Sequence, residues 1–239
     1  MKIKGKTAFI TGGTKGIGYG IAEILLNAGM NVAFTSRSQK DADKAAKKLA
    51  KATKSDKVIG IESDVRDLKS QEKAIKKTLK KFGSIDALVA NAGVGHFASI
   101  QEMTAKQWQD TIDINLTGVF NSVKAGLDAL TDSKGYLITI ASLAGTNFFA
   151  KGAAYNASKF GLVGFTQAVM MDVRQAGIKA TTIMPGSVST YFNNRVPSEK
   201  EAWKIQPEDI GQIVLDLLKM PARTLPSKVE VRPSMPPSK

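Results

Sequence analysis

Cysteine is absent from the 239 residues, and histidine occurs once, at His96. Disulfides and thiolate metal sites are therefore excluded, as is a cluster of several histidines around a metal. Arginine is scarce as well: six of the 34 basic residues are arginine, and the net charge of +13 comes from lysine. Thirteen lysines fall between Lys40 and Lys81 with no aromatic residue among them. A nucleic-acid groove needs arginine forks and stacking rings, so this run reads as the solvated faces of two helices. What remains of its charge would attract polyanions, an acidic carrier protein among them. Long apolar runs are missing too. None reaches 18 residues, which excludes a spanning helix. The segment Met1 to Gly5 leads straight into a strand-like stretch without a signal peptide, and a cytoplasmic location is expected.

What is present is alternation. Short, β-branched, nearly continuous apolar runs at Thr7 to Thr11, Val32 to Thr35, Val58 to Ile61, Ala87 to Ala90, Tyr136 to Ala141 and Thr181 to Met184 read as strands buried on both faces, with Val229 to Val231 as a seventh. Helical patterns lie between them at Gly16 to Asn27, Gln39 to Thr53, Leu68 to Phe82, Lys106 to Leu130, Gly152 to Gln175 and Pro207 to Leu218. That order predicts an α/β fold: a doubly wound parallel sheet of about seven strands with helices on both faces. Residues 1–231 form one dinucleotide-binding and catalytic domain, and 232–239 a proline-rich tail that is extended or disordered. The fourth and fifth helices are apolar on two sides, through Leu116, Phe120 and Val123 on one and Phe160, Val163 and Phe165 on the other. Double-sided burial predicts a homo-oligomer, dimer or tetramer.

The loop Thr11, Gly12, Gly13, Thr14, Lys15, Gly16, Ile17, Gly18 joins the first strand to the first helix. Its glycines permit a tight turn and let backbone N–H groups approach a pyrophosphate at the positive helix end. After the second strand an NAD site usually carries an acidic residue for the ribose 2′-hydroxyl. Here stand Thr35, Ser36, Arg37 and Ser38, with no acid before Asp41. Arg37, with Lys15 in reach, suits a 2′-phosphate, so the expected cofactor is NADP(H).

Tyr155 and Lys159 lie four residues apart on a helical pattern, thirteen positions after Ser142. Residues i and i+4 share a helix face. An ammonium there is expected to lower the phenol pKa from about 10 toward neutrality and make Tyr155 a proton donor or acceptor for a carbonyl or alcohol oxygen. Ser142 would hydrogen-bond the same oxygen. Asn115 and Gly118, poor formers in a helix middle, predict a kink.

With these elements in this order, the chain resembles the single-domain short-chain dehydrogenases/reductases over nearly its whole length. The matching residues are Thr11 to Gly18, Asp64 with Val65, Asn91-Ala92-Gly93, Asn115, Ser142, Tyr155 with Lys159, and Pro185-Gly186. The resemblance implies a Rossmann-type sheet and a Ser-Tyr-Lys-Asn site. It implies that Asp64 and Val65 contact the adenine and that Asn91, Ala92 and Gly93 floor the cofactor cleft. It further implies that Asn115 holds a water relaying protons to Lys159, and that Lys159 binds the nicotinamide ribose. Pro185 and Gly186 would border the nicotinamide, with Val188 at its carboxamide and Thr190 beside the phosphates.

In size and motifs the chain is similar to 3-oxoacyl-acyl-carrier-protein reductases, with two departures. Only residues 187–206 separate Pro185-Gly186 from the next helix, and the carboxyl end lacks the usual glycine-rich close. The short segment suggests an open pocket and a bulky, carrier-borne or broad carbonyl substrate. His96, Leu143, Asn147, Phe148, Phe149, Met184, Tyr191 and Phe192 are the candidate lining. The leading expectation is hydride transfer from NADPH to a ketone, aldehyde or 3-oxoacyl thioester. The alternatives are an NADP+-dependent alcohol dehydrogenase working oxidatively, or a non-catalytic NADP(H) sensor. No nucleic acid, membrane or metal is expected as a partner.

Overall fold

The structure, a computed structural model, describes residues 3–237. Seven strands form one parallel sheet in the order β3-β2-β1-β4-β5-β6-β7. They are β1 (Thr7–Ile10), β2 (Asn31–Ser36), β3 (Val58–Glu62), β4 (Ala87–Ala90), β5 (Tyr136–Ile140), β6 (Lys179–Pro185) and β7 (Lys228–Val231). The helices are α1 (Gly16–Asn27), α2 (Gln39–Thr53), α3 (Leu68–Phe82), α4 (Ala105–Ile112), α5 (Gly118–Ser133), α6 (Ala153–Val173) and α7 (Pro207–Lys219). Central strands β1, β4 and β5 are buried at every position, which is why their residues are apolar without alternation.

Two apolar clusters cover the sheet. Ile21 and Leu25 of α1, Leu49 of α2 and Val214 of α7 pack on one face. Ile75 of α3, Val123 of α5 and Leu162 of α6 pack on the other. The strand order reverses between β1 and β4, and a cleft opens there at the carboxyl ends of the strands.

The single helix expected over Lys106 to Leu130 is divided. Asp113–Thr117 makes a π turn between α4 and α5, so the kink foreseen at Asn115 and Gly118 is an inserted residue in the helical ladder. Gly118 sits where a Cβ would stand 2.7 Å from Val65, so the helix crosses closely over the adenine-side loop. The end of β7 is fastened beside the cleft: Gly186 donates its N–H to the Val231 carbonyl at 2.8 Å. Residues 238 and 239, part of the expected tail, lie outside the described residues.

Candidate active site

The loop after β1 is held in shape before any ligand arrives. Gly12 has φ of 71°, and Gly13 lies where a Cβ would come within 2.4 Å of the Phe34 side chain. Any side chain at these positions would push the loop off β2. Asn91 donates from its side-chain amide to the carbonyls of Thr11 and Gly12, and the Thr11 hydroxyl accepts the N–H groups of Asn91 and Ala92. Ser38, Asp67 and Thr104 cap α2, α3 and α4 with their own side chains, whereas Lys15 gives α1 no such cap. The first N–H groups of α1 therefore face the cleft unpaired by side chains, as a pyrophosphate requires.

The cleft has a volume of about 1110 Å³. Its wall takes Gly12, Thr14, Lys15, Gly16 and Ile17 from the first loop, Ser36 and Arg37 from the end of β2, and Asp64 and Val65 from the end of β3. Asn91, Ala92 and Gly93 follow β4; Ser142, Tyr155 and Lys159 come from β5 and α6; Pro185, Gly186, Val188 and Thr190 follow β6. Thr11, Gly13, Gly18 and Asn115 stand behind this wall and shape it. A Cβ on Gly18, for instance, would lie 2.3 Å from the Gly12 carbonyl oxygen.

Asn115 is wholly buried. Its Oδ1 accepts the Val94 N–H at 2.8 Å, and its Nδ2 donates to the Val94 carbonyl at 2.9 Å and to Ser158 Oγ at 3.1 Å. The side chain thus acts like a strand edge that clamps the loop after β4, and its polar atoms are engaged by protein.

Ser142 accepts the Ala144 N–H on its Oγ at 3.1 Å, which leaves its own O–H free to donate. Lys159 is 5% exposed; its Nζ donates to the Ile140 carbonyl at 3.0 Å and lies 5.7 Å from the centre of the Tyr155 ring. The expected depression of the tyrosine pKa is not what this arrangement gives. Burial pushes the Tyr155 phenol up, and the Ser142 hydroxyl offsets this only in part. Burial also lowers Lys159 to about 8. The physical reason is common to both: each group is removed from water, so its charged form is penalised. Near neutrality the phenol is protonated and Lys159 still carries most of its charge.

Among the candidate pocket residues, His96, Tyr191 and Phe192 line the cleft. Met184 belongs to the core, Asn147 bonds back to the Leu143 carbonyl, and Phe148 is 88% exposed. Leu143 packs under Gly186, whose Cβ position is 3.1 Å from it. Sequence reasoning missed Phe97, Arg66, Arg195 and Lys204, all of which line the cleft. Arg66 had a signal, since it lies two residues after Asp64 and grips that carboxylate with Nε and Nη2 at 2.6–3.1 Å. This fork holds Asp64 below the usual carboxylate range. Phe97 had none, because only the folded loop after β4 brings it onto Tyr155.

Residues 187–206, expected to leave the pocket open, are tied to one another and supply part of the cleft wall. Ser189 donates its N–H to the Ile205 carbonyl at 2.9 Å, Ile205 returns a bond to Ser187 at 3.1 Å, and Glu201 pairs with Lys204 and Ser189.

A family model described as short chain dehydrogenase matches residues 6–201. The chain is a member of the short chain dehydrogenase family. An uncharacterised oxidoreductase of Staphylococcus saprophyticus is 31% identical over 98% of this chain and 99% of its own. A 3-oxoacyl-[acyl-carrier-protein] reductase of Vibrio cholerae is 30% identical over 89% of this chain and 86% of its own. The alcohol dehydrogenase of Thermococcus sibiricus, solved with 5-hydroxy-NADP, superposes with a TM-score of 0.90 at 29% identity, covering 98% of this chain and 99% of that one. The sheet order and the cleft at its switch point are those of this oxidoreductase family, whose members use a nicotinamide cofactor. No helix among the described residues of this short chain dehydrogenase is long and apolar enough to cross a membrane.

Proposed function

We propose that the protein is an NADPH-dependent reductase of ketones, aldehydes or related carbonyls, working with Ser142, Tyr155, Lys159 and Asn115. The observation that carries this reading is the meeting of Ser142, Tyr155 and Lys159 in one cleft with the glycine loop, Ser36 and Arg37. A bound nicotinamide supplies the hydride. Tyr155 holds the proton that the carbonyl oxygen must receive, and Ser142 has a free O–H to stabilise negative charge on that oxygen. Lys159 has one acceptor, Ile140, for its three N–H donors, which leaves donors for ribose hydroxyls. Asn115 acts through the Val94 backbone, fixing the loop that borders Lys159; a Cβ on Gly93 would stand 3.3 Å from Asn115 Oδ1 and 3.8 Å from Lys159 Nζ.

For the cofactor, Ser36 ends β2 and Arg37 follows it within the cleft, and the nearest carboxylate after them, Asp41, lines the cleft from the first turn of α2. A guanidinium fork there favours a 2′-phosphate. Structural neighbours were solved with an NADP derivative and with NADH, so the preference rests on Arg37 itself.

A homo-oligomer is part of this reading. Phe120, Phe160 and Met171 are 44–50% exposed, and Leu116, Phe120, Gly161 and Phe165 line a shallow depression between α5 and α6. An apolar patch of this kind is covered most simply by the same patch on a second copy.

The test is NADPH and NADH oxidation at sub-saturating concentration across aliphatic and aromatic ketones, diketones, aldehydes and acetoacetyl thioesters. Reduction with a preference for NADPH of about tenfold or more is expected from one charged, bidentate contact of about 1.5–3 kcal/mol. Equal use of the two cofactors contradicts the NADP(H) assignment, and absence of turnover with every carbonyl contradicts the reductase.

A further inference from the structure

Two phenylalanines, Phe97 and Phe192, pack on the Tyr155 ring, and a third, Phe149, packs on Phe97. Phe97 stands edge-on to it at 5.4 Å between centroids, and Phe192 lies tilted at 5.7 Å. Phe97 is 6.4 Å from Phe192 and 5.8 Å from Phe149. Gly95 makes the closure possible, since a Cβ there would meet the Phe192 ring at 2.6 Å and the Phe97 ring at 2.9 Å.

These rings face the cleft rather than the core. Phe97 is 38% and Phe149 47% exposed, and Phe97 and Phe192 both line the cleft. The Tyr155 hydroxyl sets where a reacting oxygen must sit, so the group attached to the carbonyl falls against Phe97 and Phe192. Their mutual edge-to-face arrangement presents a negative ring face and a positive ring edge, a pattern that only another flat π system matches on both sides. An aliphatic chain buries area there without matching it.

We propose that Phe97 and Phe192 form an aromatic clamp over Tyr155 that selects a carbonyl attached to a flat aromatic ring. The clamp rests on the carbonyl-reductase reading and names its substrate class. Linear 3-oxoacyl chains are then poorer substrates than aryl ketones of similar size.

The experiment compares acetophenone with cyclohexyl methyl ketone, which have nearly equal apolar area and differ in the π face. Binding is measured by calorimetry on the protein saturated with NADP+, and kcat/KM is measured with NADPH. Acetophenone is expected to bind about tenfold more tightly, the combined effect of two ring contacts. Phe97→Leu and Phe192→Leu should each cut the aryl-to-cyclohexyl ratio about threefold or more in both readouts while NADPH affinity stays unchanged. Taking the ratio between variant and wild type cancels the different intrinsic reactivity of the two ketones. Gly95→Ala, which forces the two rings apart, should reduce the ratio similarly. Equal binding of the two ketones by the wild-type protein overturns the clamp, and so does a ratio that neither leucine variant changes. Failure of the reductase reading is visible separately: both ketones would then bind with the expected ratio and neither would be reduced.

Discussion

The two ends of the cleft are built from the same strand edges yet treat charge in opposite ways. At the outer end, Arg37, Arg66, Asp64 and Lys15 stand in or near water; the side chains of the Asp64–Arg66 pair are 31% and 41% exposed. Charge there is tolerated and partly screened. At the inner end, Lys159 is buried, Asn115 is wholly enclosed, and aromatic rings cover Tyr155. Charge there is penalised, so the ammonium holds its proton less tightly and the phenol keeps its own. In the proposed function the outer end recognises and the inner end reacts. Burial, more than residue type, separates the two roles.

The comparison breaks most severely if the inner ammonium is removed. Lys159→Ala should lower kcat/KM for NADPH by about a thousandfold, because the group both orients the ribose and supports Tyr155, and general acid–base contributions alone span about 10²–10⁴. Steady-state kinetics against the wild-type protein checks this. The outer end should respond by exchange of preference rather than loss of chemistry. Arg37→Glu should cost NADPH about a hundredfold in KM and leave kcat with NADH nearly unchanged, because a carboxylate repels a 2′-phosphate and accepts from a 2′-hydroxyl. A fall in kcat with both cofactors would mean that the two ends are not separate.

Acidity sharpens the contrast further. Lys159 loses its proton as pH rises through about 8, so kcat/KM for NADPH, which reports the free enzyme, should fall above that value. The unfolded lysine keeps its proton until about 10.4, so between these values the unfolded chain binds more protons and this group makes the cofactor-free protein more stable as pH rises. Activity and stability should therefore move in opposite directions across that window, a divergence readable from paired rate and denaturation profiles. The smallest effect is structural. Asn115→Ala strands the Val94 N–H and carbonyl, and each buried unpaired group costs about 1–3 kcal/mol. Urea unfolding should register a loss of that order, together with reduced turnover as the loop after β4 loosens.

Much of the fold was legible because the signals are local. Apolar runs such as Ala87 to Ala90 and the interrupting Asn115 and Gly118 mark strand and kink without reference to distant residues. The glycine loop, Arg37 and the Tyr155–Lys159 spacing were readable for the same reason. The protonation of Tyr155 was not, because the four-residue spacing suggests proximity of a charge and says nothing about water. In the folded chain Lys159 turns to the Ile140 carbonyl, and for the phenol desolvation outweighs the hydrogen bond from Ser142. The internal ties of residues 187–206, such as the bonds from Ser189 to Ile205 and to Glu201, were not readable either, because they join positions far apart along an irregular segment. Phe97 reaches Tyr155 only through tertiary packing, which no spacing along the chain encodes.

The central claim is that Tyr155 delivers the proton, and single-turnover oxidation of bound NADPH with a reducible ketone tests it most directly. Tyr155→Phe keeps the ring and its contacts with Phe97 and Phe192 while removing the hydroxyl. It should slow the chemical step by at least about a hundredfold with NADPH affinity within about twofold of wild type. A Tyr155→Phe protein that consumes NADPH at close to the wild-type rate would contradict the claim.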